Sequence, residues 1–287
     1  MRLPNFLIIG AQKAGTTSLY EYLRQHPQVY MSPVKEPHFF TYEGETPPSA
    51  EIVTEWSHYL ALFSKAREGH VAIGEASPSY LHAEHAPGRI ARYLPRARLI
   101  AILRNPVERA FSNWIHNVEH GREQLSFPEA LAQEEERMRQ GAGYAFYYKW
   151  KGFYFRHLSR YLALFPRDQL RVYLFDDLRA NPSFVMRDLF EFLEVYPDVS
   201  IRFERHNVSG VPRGMAGRLF SRIRKLQAAQ QIGKRLMPEA IRRRARSQLL
   251  VKPALQEEVR AYLIEVYRED VLRLQDLLRR DLSAWLR

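Results

Sequence analysis

Lys13 stands inside the stretch "IIGAQKAGTTSLYEYL", where a short apolar run meets a glycine-containing turn and then a helical pattern. Glycines let backbone approach an anion, and the free N–H groups and dipole at a helix start favour negative charge, so this order of types suits a phosphate. Gly10 and Gly15 have the spacing of the glycines in G-x-x-x-x-G-K-[ST], and Thr17 falls on its Ser/Thr position. The lysine does not fit that pattern: Thr16 occupies its place and Lys13 lies three residues earlier. A lysine placed after the turn reaches β/γ-phosphates beside Mg²⁺. One inside the turn would lie closer to the bridging oxygen of a shorter donor, where charge develops on a 5′-phosphate as it leaves.

A second anion site is readable in "LRNPVERAFSNW". Arg104 ends an apolar strand, and ligands of open α/β sheets bind beyond the carboxyl ends of the strands. Its planar fork suits phosphate, and Ser112, about two turns into the next helix, adds a hydroxyl. The plainer alternative is an arginine paired with Glu108 beside a surface serine. Proton transfer has its own candidates in "VKEPHFF": Glu36 and His38 beside Phe39 and Phe40, a carboxylate and an imidazole in partly apolar surroundings.

Together these stretches resemble the PAPS-dependent sulfotransferases (PAPS is 3′-phosphoadenosine 5′-phosphosulfate), and most closely their heparan-sulfate and bacterial branch. The family's K-x-G-T-[TS] element stands here as Lys13-Ala14-Gly15-Thr16-Thr17, followed by Ser18. The resemblance implies that Lys13 meets the bridging oxygen, that Thr16 and Thr17 meet the 5′-phosphate, and that Arg104 and Ser112 take the 3′-phosphate. It gives Glu36 the role of catalytic base, with His38 helping to orient or deprotonate the acceptor. "GEASPSYL" resembles the family's "EKSPxY", with Ala76 where a lysine is frequent, and leaves Ser77 and Tyr80 as substrate-lining residues. Tyr154 in "KGFYFRHL", and Arg213 and Gly214 in "NVSGVPRGM", resemble later donor-binding positions. The implied reaction moves a sulfuryl group from PAPS to a hydroxyl or amine of a small-molecule or carbohydrate acceptor, with no metal required.

To bring these residues together the chain must alternate strands and helices. Strands are predicted over Asn5–Ile9, His70–Gly74, Ala97–Leu103 and Leu170–Phe175. Helices are predicted over Thr16–Gln25, from Pro106 to about His120, and over Ser126–Gln140, Gly152–Phe165, Pro182–Leu193 and Leu255–Leu278. Short strands apolar on both faces imply a parallel sheet covered on both sides, an α/β P-loop-like three-layer fold. We expect a single domain over 1–287, with an irregular basic lid at about 203–252 and a C-terminal helix at about 255–279.

Composition narrows the partners. Of the 287 residues, 46% are hydrophobic, enough for a full core, and the absence of cysteine excludes thiol nucleophiles and thiolate metal sites. The formal charge of +11 favours anionic partners, including an acidic acceptor, with a basic cluster between Arg213 and Arg246. No stretch approaches the roughly 20 apolar residues of a membrane span, and no export signal is recognisable, so a cytoplasmic location is expected. Two other classes remain. Asp176 and Asp177, after "LRVYLF", would serve a metal-dependent P-loop kinase. A nucleic-acid-binding module would use the Arg-rich segments but leaves the glycine turn unexplained, so no nucleic acid is expected.

Overall fold

The computed structural model describes residues 2–204, 211–212, 250–251 and 253–287. The chain gathers into two compact units. The first comprises Met1–Pro106, Trp150–His206 and Tyr267–Arg287; the second comprises Val107–Lys149 and Asn207–Val266.

The first unit is built on a five-stranded sheet: β1 (Phe6–Gly10), β2 (Val29–Met31), β3 (Ala72–Ala76), β4 (Arg98–Leu103) and β5 (Leu170–Leu174). Their order across the sheet is β2-β3-β1-β4-β5, and every pairing is parallel. All residues of β1 and β3 are buried, as expected of strands covered on both faces. The flanking helices of this unit are α1 (Thr16–Leu23), α2 (Phe39–Tyr42), α3 (Trp56–Ala61), α4 (Ala86–Tyr93), α8 (Tyr154–Leu162), α9 (Phe175–Ala180) and α10 (Pro182–Phe192). With the sheet they form the expected α/β, P-loop-like architecture.

Two strand assignments differ from expectation. β2 is only three residues long, too short for a periodic signal. β3 lies two residues later than predicted: His70 belongs to a turn in which its ring accepts from Arg67 N (2.8 Å), and pairing with β1 runs on to Ala76 opposite Ile8.

The second unit starts on α5 (Pro106–Glu119). The long polar helix expected after it is two short ones, α6 (Phe127–Ala132) and α7 (Glu134–Arg139), meeting at Gln133. That corner places Glu134 in the interior, where it accepts from Lys149 N at 2.5 Å. A polar core surrounds Tyr148: its hydroxyl donates to Glu123 (2.9 Å) and accepts from Asn117 (2.9 Å), while Arg137 pairs with Glu123 at 2.6 Å. The unit also holds a short antiparallel pair, β6 (Val211–Pro212) with β7 (Leu250–Val251). The rest of the expected basic lid lies outside the described residues. A final helix, α11 (Glu257–Leu278), carries Tyr267, Val271 and Leu274 into the core of the first unit. No described helix is long and apolar enough to cross a membrane.

Candidate active site

In an all-parallel sheet every carboxyl end lies along one edge. In the first unit that edge carries, in sheet order, the loop after β2 with Glu36 and His38, the Ser77–Tyr80 segment after β3, the glycine turn after β1, Arg104 after β4, and Phe175 after β5. Backbone bonds fasten these pieces together: Ala11 N donates to Ile102 O (2.8 Å), Ser77 N to Ile8 O (3.1 Å), Leu81 N to Ile9 O (2.8 Å) and Glu36 N to Ala76 O (3.1 Å).

The turn suits an anion. Lys13 is left-handed (φ 69°), as is Gly15 (φ 104°), which stands at the start of α1. A Cβ on Gly15 would lie 3.0 Å from the Phe175 ring, so close packing as well as backbone angle calls for glycine there. Gly15 at the start of α1 brings no side-chain oxygen to cap it, an arrangement that suits an anion at the first-turn N–H groups around Thr16, Thr17 and Ser18. Ala14 and Thr16 are buried, and Lys13, Thr17 and Ser18 are half-buried. Arg104 joins this turn: its guanidinium lies 3.5 Å from Lys13 O and stacks 5.2 Å from the centre of the Phe175 ring.

Glu36 and His38 are brought together. His38 Nε2 lies 3.5 Å from Glu36 Oε2, and Lys35 pairs with the other carboxylate oxygen. Both Glu36 (φ 61°) and His38 (φ 57°) are left-handed, a strained form for non-glycine residues that clusters at functional sites. Burial would push the Glu36 carboxyl up, but the hydrogen bond from His38 and the charge of Lys35 outweigh it and bring the pKa down to about 2. The site therefore holds Glu36 ionised at any working pH.

Support comes from β3 and the segment after it. His38 N donates to Ser77 Oγ (3.0 Å), Ser77 Oγ donates to Glu75 Oε2 (2.8 Å), and Ser79 Oγ lies 2.7 Å from both His38 Nδ1 and Thr41 Oγ1. Glu75 is fully buried, and that burial raises its pKa to about 7 despite hydrogen bonds from Tyr80, Ser77 and Tyr59.

Three expected contact residues are enclosed in this structure. Ser77 and Tyr80 are fully buried; Ser77 Oγ accepts from His38 N, and Tyr80 OH lies 3.5 Å from Phe40 N. Tyr154 is fully buried too, its hydroxyl donating to Arg104 O at 2.9 Å. Ser112 lies on α5 of the second unit, half-buried. Arg213 and Gly214 lie outside the described residues. The candidate kinase carboxylates are engaged elsewhere: Asp177 takes both guanidinium nitrogens of Arg280 at 3.1 Å, and Asp176 lies 3.8 Å from Arg179.

Sequence reasoning did not single out Glu75, Ser79, Lys35 or Lys151. Only Glu75 carried a signal, a carboxylate within an otherwise apolar strand. In the second unit, His116, Glu119 and His120 place ligating atoms within 4.8 Å of one another, and His120 Nδ1 is 2.7 Å from His116 O.

A parallel sheet whose edge bears a lysine-containing glycine turn defines a P-loop-like group-transfer enzyme. The sulfotransferase domain model matches residues 3–210, and the chain belongs to the sulfotransferase family, whose sulfuryl donor is PAPS. It is similar over its whole length to the human bifunctional heparan sulfate N-deacetylase/N-sulfotransferase 3 (28% identical, 31% of that protein covered). It is also similar to the mouse heparan sulfate glucosamine 3-O-sulfotransferase 3A1 (31% identical over 67% of this chain and 46% of that protein). The chain thus spans less than half the length of these curated relatives. The crystal structure of a sulfotransferase from Alicyclobacillus acidocaldarius matches all of both chains at 34% identity and a TM-score of 0.78.

Proposed function

We propose that the chain transfers the sulfuryl group of PAPS to a hydroxyl or amine of a carbohydrate acceptor without a metal ion. The observation that carries this reading is the shared edge: the lysine-bearing turn and the Glu36–His38 pair both hang from carboxyl ends of one sheet. The turn receives the 5′-phosphosulfate on the first N–H groups of α1, with Lys13 opposite the bridging oxygen. The acceptor oxygen or nitrogen attacks sulfur in line and surrenders its proton to Glu36, with His38 orienting that exchange. The bond from sulfur to the bridging oxygen breaks, and Lys13 meets the charge left on the 5′-phosphate. The carbohydrate assignment is supported by the relatives named for heparan sulfate, and the net positive charge suits an acidic glycan.

Calorimetry with 3′-phosphoadenosine 5′-phosphate (PAP) and with ATP, each in EDTA and in Mg²⁺, tests the donor class. PAP should bind more tightly, and EDTA should not weaken it. Tighter binding of ATP that requires Mg²⁺ would move the chain to the kinases.

A further inference from the structure

Lysine is almost never fully buried unless its ammonium is held by a partner. Lys151 is 2% exposed, and its Nζ donates to Gln12 Oε1 at 2.6 Å. Gln12 is the residue before Lys13, so this ammonium is delivered to the glycine turn by a segment far away in the chain. That segment is tightly fixed. Gly152 packs against Tyr267, where a Cβ would fall 2.6 Å from the ring and leave no room for any other residue. His157 Nε2 binds Trp150 O at 2.8 Å, and Arg156 stacks 4.3 Å from the centre of the Trp150 ring. Asp270 accepts from the N–H groups of Phe155 and Arg156 at 2.9 and 3.1 Å, pinning the start of α8. Tyr154 ties the same segment to Arg104 O, and Arg104 reaches Lys13 O.

We propose that Lys151 is a donor-binding residue, a second ammonium of the glycine turn that meets the 5′-phosphosulfate end of the nucleotide beside Lys13. The inference rests on the donor reading above. A compact ammonium suits a tetrahedral anion approached from one side. A phosphate oxygen is a stronger acceptor for an ammonium than the neutral Gln12 amide, so an arriving nucleotide competes with Gln12 for Lys151. Because the segment is already fixed, little order is lost when the contact forms.

Calorimetry in EDTA on wild type and Lys151→Met, with PAP, adenosine 3′-monophosphate and adenosine 5′-monophosphate, separates the outcomes. The substitution should weaken both 5′-phosphorylated ligands by roughly tenfold to a hundredfold, as for loss of a charge-assisted bond, and leave the 3′-monophosphate within about twofold. Equal weakening of all three, or of none, overturns the proposal. Gln12→Ala guards against a folding defect in the first variant: it removes the amide but keeps the ammonium, so PAP affinity should stay within about threefold of wild type. A hundredfold loss there would show that the Gln12 contact itself matters, and would also overturn it. Wild type that fails to bind PAP refutes the donor reading instead, whatever the variants do.

Discussion

The buried carboxyl of Glu75 makes a stability prediction that reaches into the active site. Its pKa is raised from 4.5 to about 7, chiefly by burial, so in the folded chain it holds its proton through a range in which the unfolded chain has lost it. The sign follows: the stability linked to this proton is full below pH 4.5 and is lost as pH rises through 7. At 1.36 kcal/mol per pKa unit, the wild type gives up about 3 kcal/mol across that window relative to a variant that cannot ionise there. Glu75→Gln is that variant; it keeps the shape and an acceptor for Ser77. Thermal melts of both proteins from pH 4.5 to 8 are the assay. The Glu75→Gln melting point should gain on the wild type as pH rises, by roughly 6 °C in all if each kcal/mol moves it about 2 °C. A difference between the two that stays flat with pH would refute the reasoning, and would mean that Glu75 is ionised and compensated in the fold.

Two further outcomes bear on catalysis. Glu36→Gln should lower turnover by roughly a hundredfold or more while PAP affinity is spared, as for removal of a general base; near-normal turnover would transfer the role to His38. Adenosine 5′-phosphosulfate, which lacks the 3′-phosphate, should bind on the order of a hundredfold more weakly than PAPS, since bonds to charged groups contribute about 1.5–3 kcal/mol each. Arg104→Ala should erase most of that ratio, and an unchanged ratio would remove Arg104 from the 3′-phosphate.

What could be read from the sequence was what is local. Runs such as Phe6–Gly10 and Arg98–Leu103 announce buried strands by composition alone, and the glycine turn announces an anion by the types it places in a row. β2 was invisible because a three-residue strand is fixed by its partner β3 rather than by its own pattern. The split of the polar helix into α6 and α7 was invisible for a similar reason: the acceptance of Lys149 N by Glu134 is a contact across fifteen residues. Lys151 shows the limit most clearly: the stretch beginning there resembles a donor-binding segment through Tyr154, but no local pattern says that its own ammonium meets Gln12, 139 residues earlier.

The same distinction bears on Ser77, Tyr80 and Tyr154, site residues by resemblance that are enclosed in this structure. A motif identifies positions a site depends on, but touching a ligand and holding the residue that touches it leave the same trace in sequence. Ser77 is fully enclosed in this structure, and its hydroxyl accepts from His38 N and donates to Glu75, so it fixes a backbone whose left-handed angles resist being held. Glu36 poses the complementary problem. Lys35 and His38 keep its carboxylate at about 2, which guarantees the ionised form but weakens it as a base.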